Sequence, residues 1–169
     1  QIMHTCSALA KAGNAVTLAI PGRRSAIKEN PFSYYSLKEN FPLTPLQVPD
    51  FLRIKRLGFL LSASFFALRC ASYARSNGFE AAYTRDRGVA LLLSLFLPKK
   101  IKLVFEAHGE EPRWLVRLLA RRAGFVGITA GVRDMLLARG AAESRAAVAH
   151  DGVELEDFSH SQSKDAARE

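Results

Sequence analysis

Residues 101–108 read IKLVFEAH, an apolar run that ends on a carboxylate and an imidazole, Glu106 and His108, followed by Gly109. A neutral imidazole donates one hydrogen bond and accepts another, so it serves as a general base or as an anchor for a hydroxyl. Side chains two apart in a strand share a side, which puts Glu106 beside His108. Glu106 could orient that imidazole or pair with a nearby arginine. His108 itself could act on a substrate, or could be satisfied by a backbone carbonyl near the surface. Gly109 would let backbone or ligand approach closely, and it joins Glu106 as a candidate binding position. Arg85, which closes YTR, has a planar fork suited to a phosphate or carboxylate, or to a surface pair with Asp86 or Glu80. Thr129 could touch a ligand or cap the helix that follows it. Thr84, His150, Asp151 and Gly152 complete the set of polar or turn residues at predicted strand ends. His108 with His150 has no metal-ligand spacing, and no metal site is expected. GxGxxG, P-loop and GxSxG motifs are absent, and no nucleophile has an evident triad partner.

The elements that would position these residues alternate in type. The helix at the start has Ile2, Cys6, Leu9 and Ala10 on one face and stops at Gly13. Residues 15–20 form a strand ended by Pro21-Gly22. Residues 21–50 hold five of the seven prolines and read as a loop-rich excursion, with a short strand near 46–48. A long apolar helix, packed in the core, covers 58–76 and ends at Asn77-Gly78. Strand 81–86, helix 88–97, strand 101–108, helix 112–123, strand 125–130, helix 131–139 and a last, buried strand at 146–152 follow. Such alternation builds βαβ units and a parallel sheet covered on both faces: an α/β fold, doubly wound and Rossmann-like. Ligands in such sheets lie beyond the carboxyl ends of the strands, where the candidate residues fall. The chain opens on a helix where a central first strand would be usual, so a strand upstream of Gln1 is expected, leaving a gap beside strand 15–20.

Length, 169 residues, suits one domain with a sizeable core, and 49% hydrophobic with 24% charged residues excludes global disorder. Two isolated cysteines, Cys6 and Cys70, read as buried small hydrophobes in a reducing, cytoplasmic setting. The net charge of +8, carried mostly by arginine, suits anionic partners. Arg113, Arg117 and Arg121 recur every four residues and form one helical stripe, with Trp114, Leu115, Leu118 and Leu119 toward another face. The stretch 51–61, FLRIKRLGFLL, adds a second basic and apolar cluster. Such a stripe is either a solvated helix face or a peripheral contact with an anionic membrane at its inner face. Nucleic acid is not expected, because the aromatics are not interleaved with the basic residues.

VFEAHG, with YTRD before it and VGITAGVRDML and VAHDGVELEDF after it, resembles the N-terminal half of glycosyltransferase family 4. ALAKAGNAVTLAIPGR looks like that family's first helix and second strand, with Gly13-Asn14-Ala15-Val16 at its usual GHxV step. The likeness covers nearly all of residues 1–158. It implies a GT-B architecture in which residues 1–151 form the acceptor-side domain and 152–169 begin the interdomain linker. A second domain, carrying a paired-glutamate motif and most donor contacts, would follow. The implied activity is a retaining, hexosyltransferase-type transfer from a nucleotide-diphosphate sugar to a hydroxyl, with no cofactor. This stretch alone is expected to be inactive. His108 takes the place of the family's strand-end histidine at the cleft floor. A non-enzymatic α/β ligand-binding or regulatory module is the alternative, and a basic nucleic-acid-associated domain a further one.

Overall fold

The computed structural model describes residues 1–22, 29–49, 51, 55–150 and 152. Helix α1 (Ile2–Lys11) leads to strand β1 (Leu18–Gly22), a one-turn helix α2 (Pro31–Tyr34) and strand β2 (Leu43–Gln47). The long helix α3 (Lys55–Ser76) then enters the alternation β3 (Ala81–Thr84), α4 (Arg87–Phe96), β4 (Lys102–Ala107) and α5 (Arg113–Leu119). Strand β5 (Ala123–Gly127), helix α6 (Ala130–Ala138), a 3-10 turn and strand β6 (Ala146–Val148) complete it. Every strand pairing is parallel, so the chain is a doubly wound α/β domain of Rossmann-like type.

The strands form two sheets, β1-β2 and β3-β4-β5-β6, and the described residues contain no hydrogen-bonded pairing between β1 and β3. Each sheet has its own core. Met3, Cys6, Phe32 and Phe41 pack around the small sheet, while Leu103, Phe105, Ala107 and Phe125 meet α3, α4 and α5 on one face of the large one. The opposite face is not covered equally, contrary to expectation: Tyr83 is exposed, and Val104 and Val126 are only half-buried.

Several boundaries shift for local reasons. Strand β1 runs three residues later than expected and contains Pro21, while β2 contains Pro45. A proline cannot donate to a ladder, but each strand of a two-stranded sheet needs only one paired edge. Asn30 caps α2 inside the segment read as loop: its side chain accepts from the Phe32 N–H at 2.8 Å, with Pro31 at the first helical position. Helix α5 ends at Leu119, not at 123, and Ala123 and Gly124 belong to β5, where Ala123 pairs with Leu103. The Arg122 guanidinium enforces that turn by donating to the carbonyls of Leu97 and Ile101 at 3.2 and 2.9 Å. Gly127 closes β5 because α6 docks there: a Cβ would lie 2.7 Å from the Arg133 nitrogen.

The face expected of α1 is overturned, and that of α3 is set by packing. In α1 the buried residues are Met3, Cys6 and Ser7, whereas Ile2 and Leu9 are exposed. In α3 the small residues Ser62, Ala67, Ala71 and Ala74 point inward, and Leu57, Leu60, Leu61, Phe65 and Leu68 point out. Alanine on the packed side lets α3 approach its neighbours closely, which leaves the bulky side chains to the outer surface. The last strand is three residues long, with Ala147 and Val148 exposed rather than buried. Asp151 and the segment from residue 153 onward, including the expected linker, lie outside the described residues.

Candidate active site at the carboxyl edge

Pairing of Thr84 with Phe105 makes Arg85 and Glu106 the next neighbours across β3 and β4, and the β pleat sets Glu106 and His108 on one side. The three side chains meet. His108 Nε2 lies 2.6 Å from Glu106 Oε1, and Arg85 Nε lies 2.9 Å from the same oxygen. Glu106 is nearly sealed from solvent, Arg85 mostly so, and about a third of the His108 side chain (35%) remains accessible. Arg85 also donates from Nη2 to Thr5 Oγ1 at 2.7 Å, tying the cluster to α1 in the other sheet's layer. Thr5 escaped sequence reasoning, since nothing in its neighbourhood connects it to a residue eighty positions away.

A carboxylate only accepts hydrogen bonds, so the short contact assigns His108 Nε2 as a donor. In the neutral ring Nδ1 is then the acceptor, able to take a hydroxyl's proton or its hydrogen bond. Arg85 balances the buried carboxylate and holds it in place. Both open readings of Glu106 therefore hold at once: it orients His108 and it pairs with an arginine. Arg85 pairs with Glu106, in place of the Asp86 or Glu80 contact weighed from the sequence.

The other candidates have structural partners or open surroundings. Thr129 caps α6, accepting from the Val132 N–H at 3.2 Å, and Asp86 caps α4, accepting from the Val89 N–H at 2.8 Å. A Cβ at Gly109 would meet nothing within 4 Å, so the chain itself imposes no need for glycine beside His108. His150 and Gly152 are exposed. Among the described residues, no group of three or more His, Cys, Asp or Glu side chains could hold a metal ion.

A second ionic cluster braces the loop after His108. Arg87 Nε lies 2.7 Å from Glu111 Oε2 and its Nη2 donates to the Glu110 carbonyl at 2.8 Å; Arg139 donates to the Glu111 carbonyl. Glu111 is buried, so this clamp fixes residues 110–111 and with them the exit path of β4. The adjacent Glu110 and Glu111 before Pro112 were the sequence signal for it. Cys6, near Arg85, has its thiol pushed up by burial, an effect the neighbouring guanidinium partly opposes.

A parallel α/β domain with a buried carboxylate, a guanidinium and a partly accessible imidazole gathered at the carboxyl edge of its strands is Rossmann-like in fold. The family model of Glycosyltransferase Family 4 matches residues 1–157, and the chain belongs to that family. A sugar donor and an acceptor are the substrates such membership implies in general. Among curated proteins and among solved structures, none matches this chain.

Proposed function

We propose that this domain is the acceptor-side half of a retaining transferase, moving a hexose from a nucleotide-diphosphate donor to a hydroxyl. His108 is its catalytic residue. The reading is carried by the Glu106–His108 contact at the strand ends in a chain of this family. With Nε2 engaged by Glu106, the Nδ1 side of the ring addresses a hydroxyl of the donor sugar or the leaving-group side of the reaction. Arg85 and Glu106 serve as the positioning pair, and Gly109 leaves room for a ligand beside the imidazole. The donor diphosphate would be stabilised by basic groups of a second domain. A preorganised contact to developing charge is worth about 2–4 kcal/mol, so His108→Ala should lower kcat by roughly 30- to 1000-fold. Sugar transfer and Tm are measured on one preparation of the polypeptide as the cell makes it. Unchanged turnover per folded molecule would overturn the role. Saturable sugar-nucleotide binding without transfer from any donor would favour the ligand-binding alternative.

A further inference from the structure

Helices α3, α4 and α5 lie side by side on one face of the large sheet, where Ala67 and Ala71, Ala90 and Leu93, and Val116 and Leu119 share one core with β4. Their outer surface has an unusual composition. Residues 55–76, 87–96 and 113–122 contain no aspartate or glutamate, although the chain has sixteen of them elsewhere. Large apolar side chains stand out from all three helices. Leu57, Leu61, Phe65 and Leu68 follow helical spacing along the outside of α3, and Leu60 beside them is 61% exposed. Leu95 on α4 is 63% exposed and Trp114 on α5 is 62% exposed.

On α5 the basic and apolar groups share a side. Trp114 and Leu118 lie with Arg113, Arg117 and Arg121 around an open concavity of about 470 Å³, while Leu115, Val116 and Leu119 face the core. The sequence pattern had assigned Trp114 and Leu118 to a face apart from the arginines. The structure instead sets an amphipathic tryptophan among three cations, in the same helical layer as the outward apolar row of α3. Exposed large apolar side chains recurring on all three helices of one layer, with cations and no carboxylate among them, mark an interaction surface.

We infer that the α3–α4–α5 surface docks on an anionic lipid membrane. A second copy of the chain is a poor occupant: a two-fold contact through this face would set arginines against arginines with no carboxylate to answer them. A headgroup plane supplies the missing anions, and the apolar region beneath it accepts Trp114, Leu60 and Leu95. No helix among the described residues is long and apolar enough to cross a membrane, so the contact is one of lying on the surface. This surface is formed by the outer sides of the helices, apart from the strand ends that carry His108, so the inference does not rest on the proposed activity.

Trp114 is the chain's one tryptophan and reports directly. Its emission in the full chain is followed during titration with vesicles of phosphatidylglycerol and phosphatidylcholine in equal parts, and with phosphatidylcholine alone. A blue shift and saturable binding are expected with the anionic vesicles and not with the neutral ones. The triple variant R113Q/R117Q/R121Q should bind about a hundredfold more weakly, given roughly a fivefold loss per removed charge. Leu60→Ser should weaken binding less while preserving the far-ultraviolet circular dichroism. Equal partition into neutral vesicles, wild-type binding by the triple variant, or a stable dimer whose dissociation by Trp114→Ser leaves co-sedimentation with anionic vesicles unchanged would each overturn the inference.

Discussion

Arg85 and Arg117 carry the same charge on the same side chain, and the molecule treats them in opposite ways. Arg85 is drawn across strand ends to a sealed carboxylate and to Thr5 on another helix. Arg117 faces solvent beside Trp114 and Leu118. The difference lies in what the neighbouring backbone places opposite each one. Parallel register puts Glu106 beside Arg85, whereas α5 itself and α4 beside it contain no carboxylate to offer Arg117. A buried partner turns an arginine into a fixed part of the structure; its absence leaves the arginine available for an external anion.

Removing the partner should have the largest effect. Glu106→Leu strands Arg85 and releases His108, and breaking such a pair is expected to cost about 2–3 kcal/mol, toward the low side because Arg85 retains some solvent. Arg117→Gln should stay within about 0.5 kcal/mol. Urea unfolding of both variants checks the contrast; equal losses would erase the distinction between the two regions. Glu106→Gln sharpens it, since the amide can still accept from His108 Nε2 and so preserve the ring's tautomer, which nitrogen chemical shifts read out.

A smaller effect separates strand-end residues that hold the fold from those that face a ligand. Thr129→Ala should lower stability by about 1 kcal/mol through loss of the α6 cap, with kcat unaffected. A drop in turnover at unchanged stability would move Thr129 into the substrate site, the role considered for it in the sequence.

The least effect at neutral pH concerns the inner side of the helical layer whose outer side is so exposed. Burial pushes the Cys70 thiol up to about 12 from 9.0. A folded value above the unfolded one means that the folded chain holds its proton where the unfolded chain releases it. That contribution to stability is present in full below pH 9 and is lost as pH rises from 9 toward 12. Cys70→Ala should therefore flatten the decline in stability above pH 9 and leave the pH dependence between 6 and 8 unchanged. A parallel decline in both proteins would show that the inner side of α3 is wetter than its packing indicates.

Much of the fold was legible in the residues because the signals are local. Strand and helix alternate where the period changes from two to that of a helix, and Gly78, with φ of 69°, terminates α3 where Asn77-Gly78 predicted a stop. The placement of Glu106 and His108 on one side needed only the β pleat. The end of α5 was misplaced, at 123 where the helix stops at Leu119, because Arg122 acts through contacts that periodicity does not register. The facing of α3 was not legible for a related reason: its apolar run is nearly continuous, and close packing against α4 decided that its alanines turn inward.

What the sequence alone determined, then, is the main alternation of strands and helices, the parallel α/β class and the placement of a carboxylate and an imidazole on one side of one strand end. Tertiary structure decided which arginines among the described residues are engaged within the chain and which face outward. It joined Thr5, Arg85 and Glu106, and it turned Trp114 toward the same side as Arg113, Arg117 and Arg121. Local pattern fixes the path of a backbone through bonds to near neighbours. The partner of a long charged side chain is set by lateral strand order and helix packing, which bring together residues that no short stretch of sequence contains.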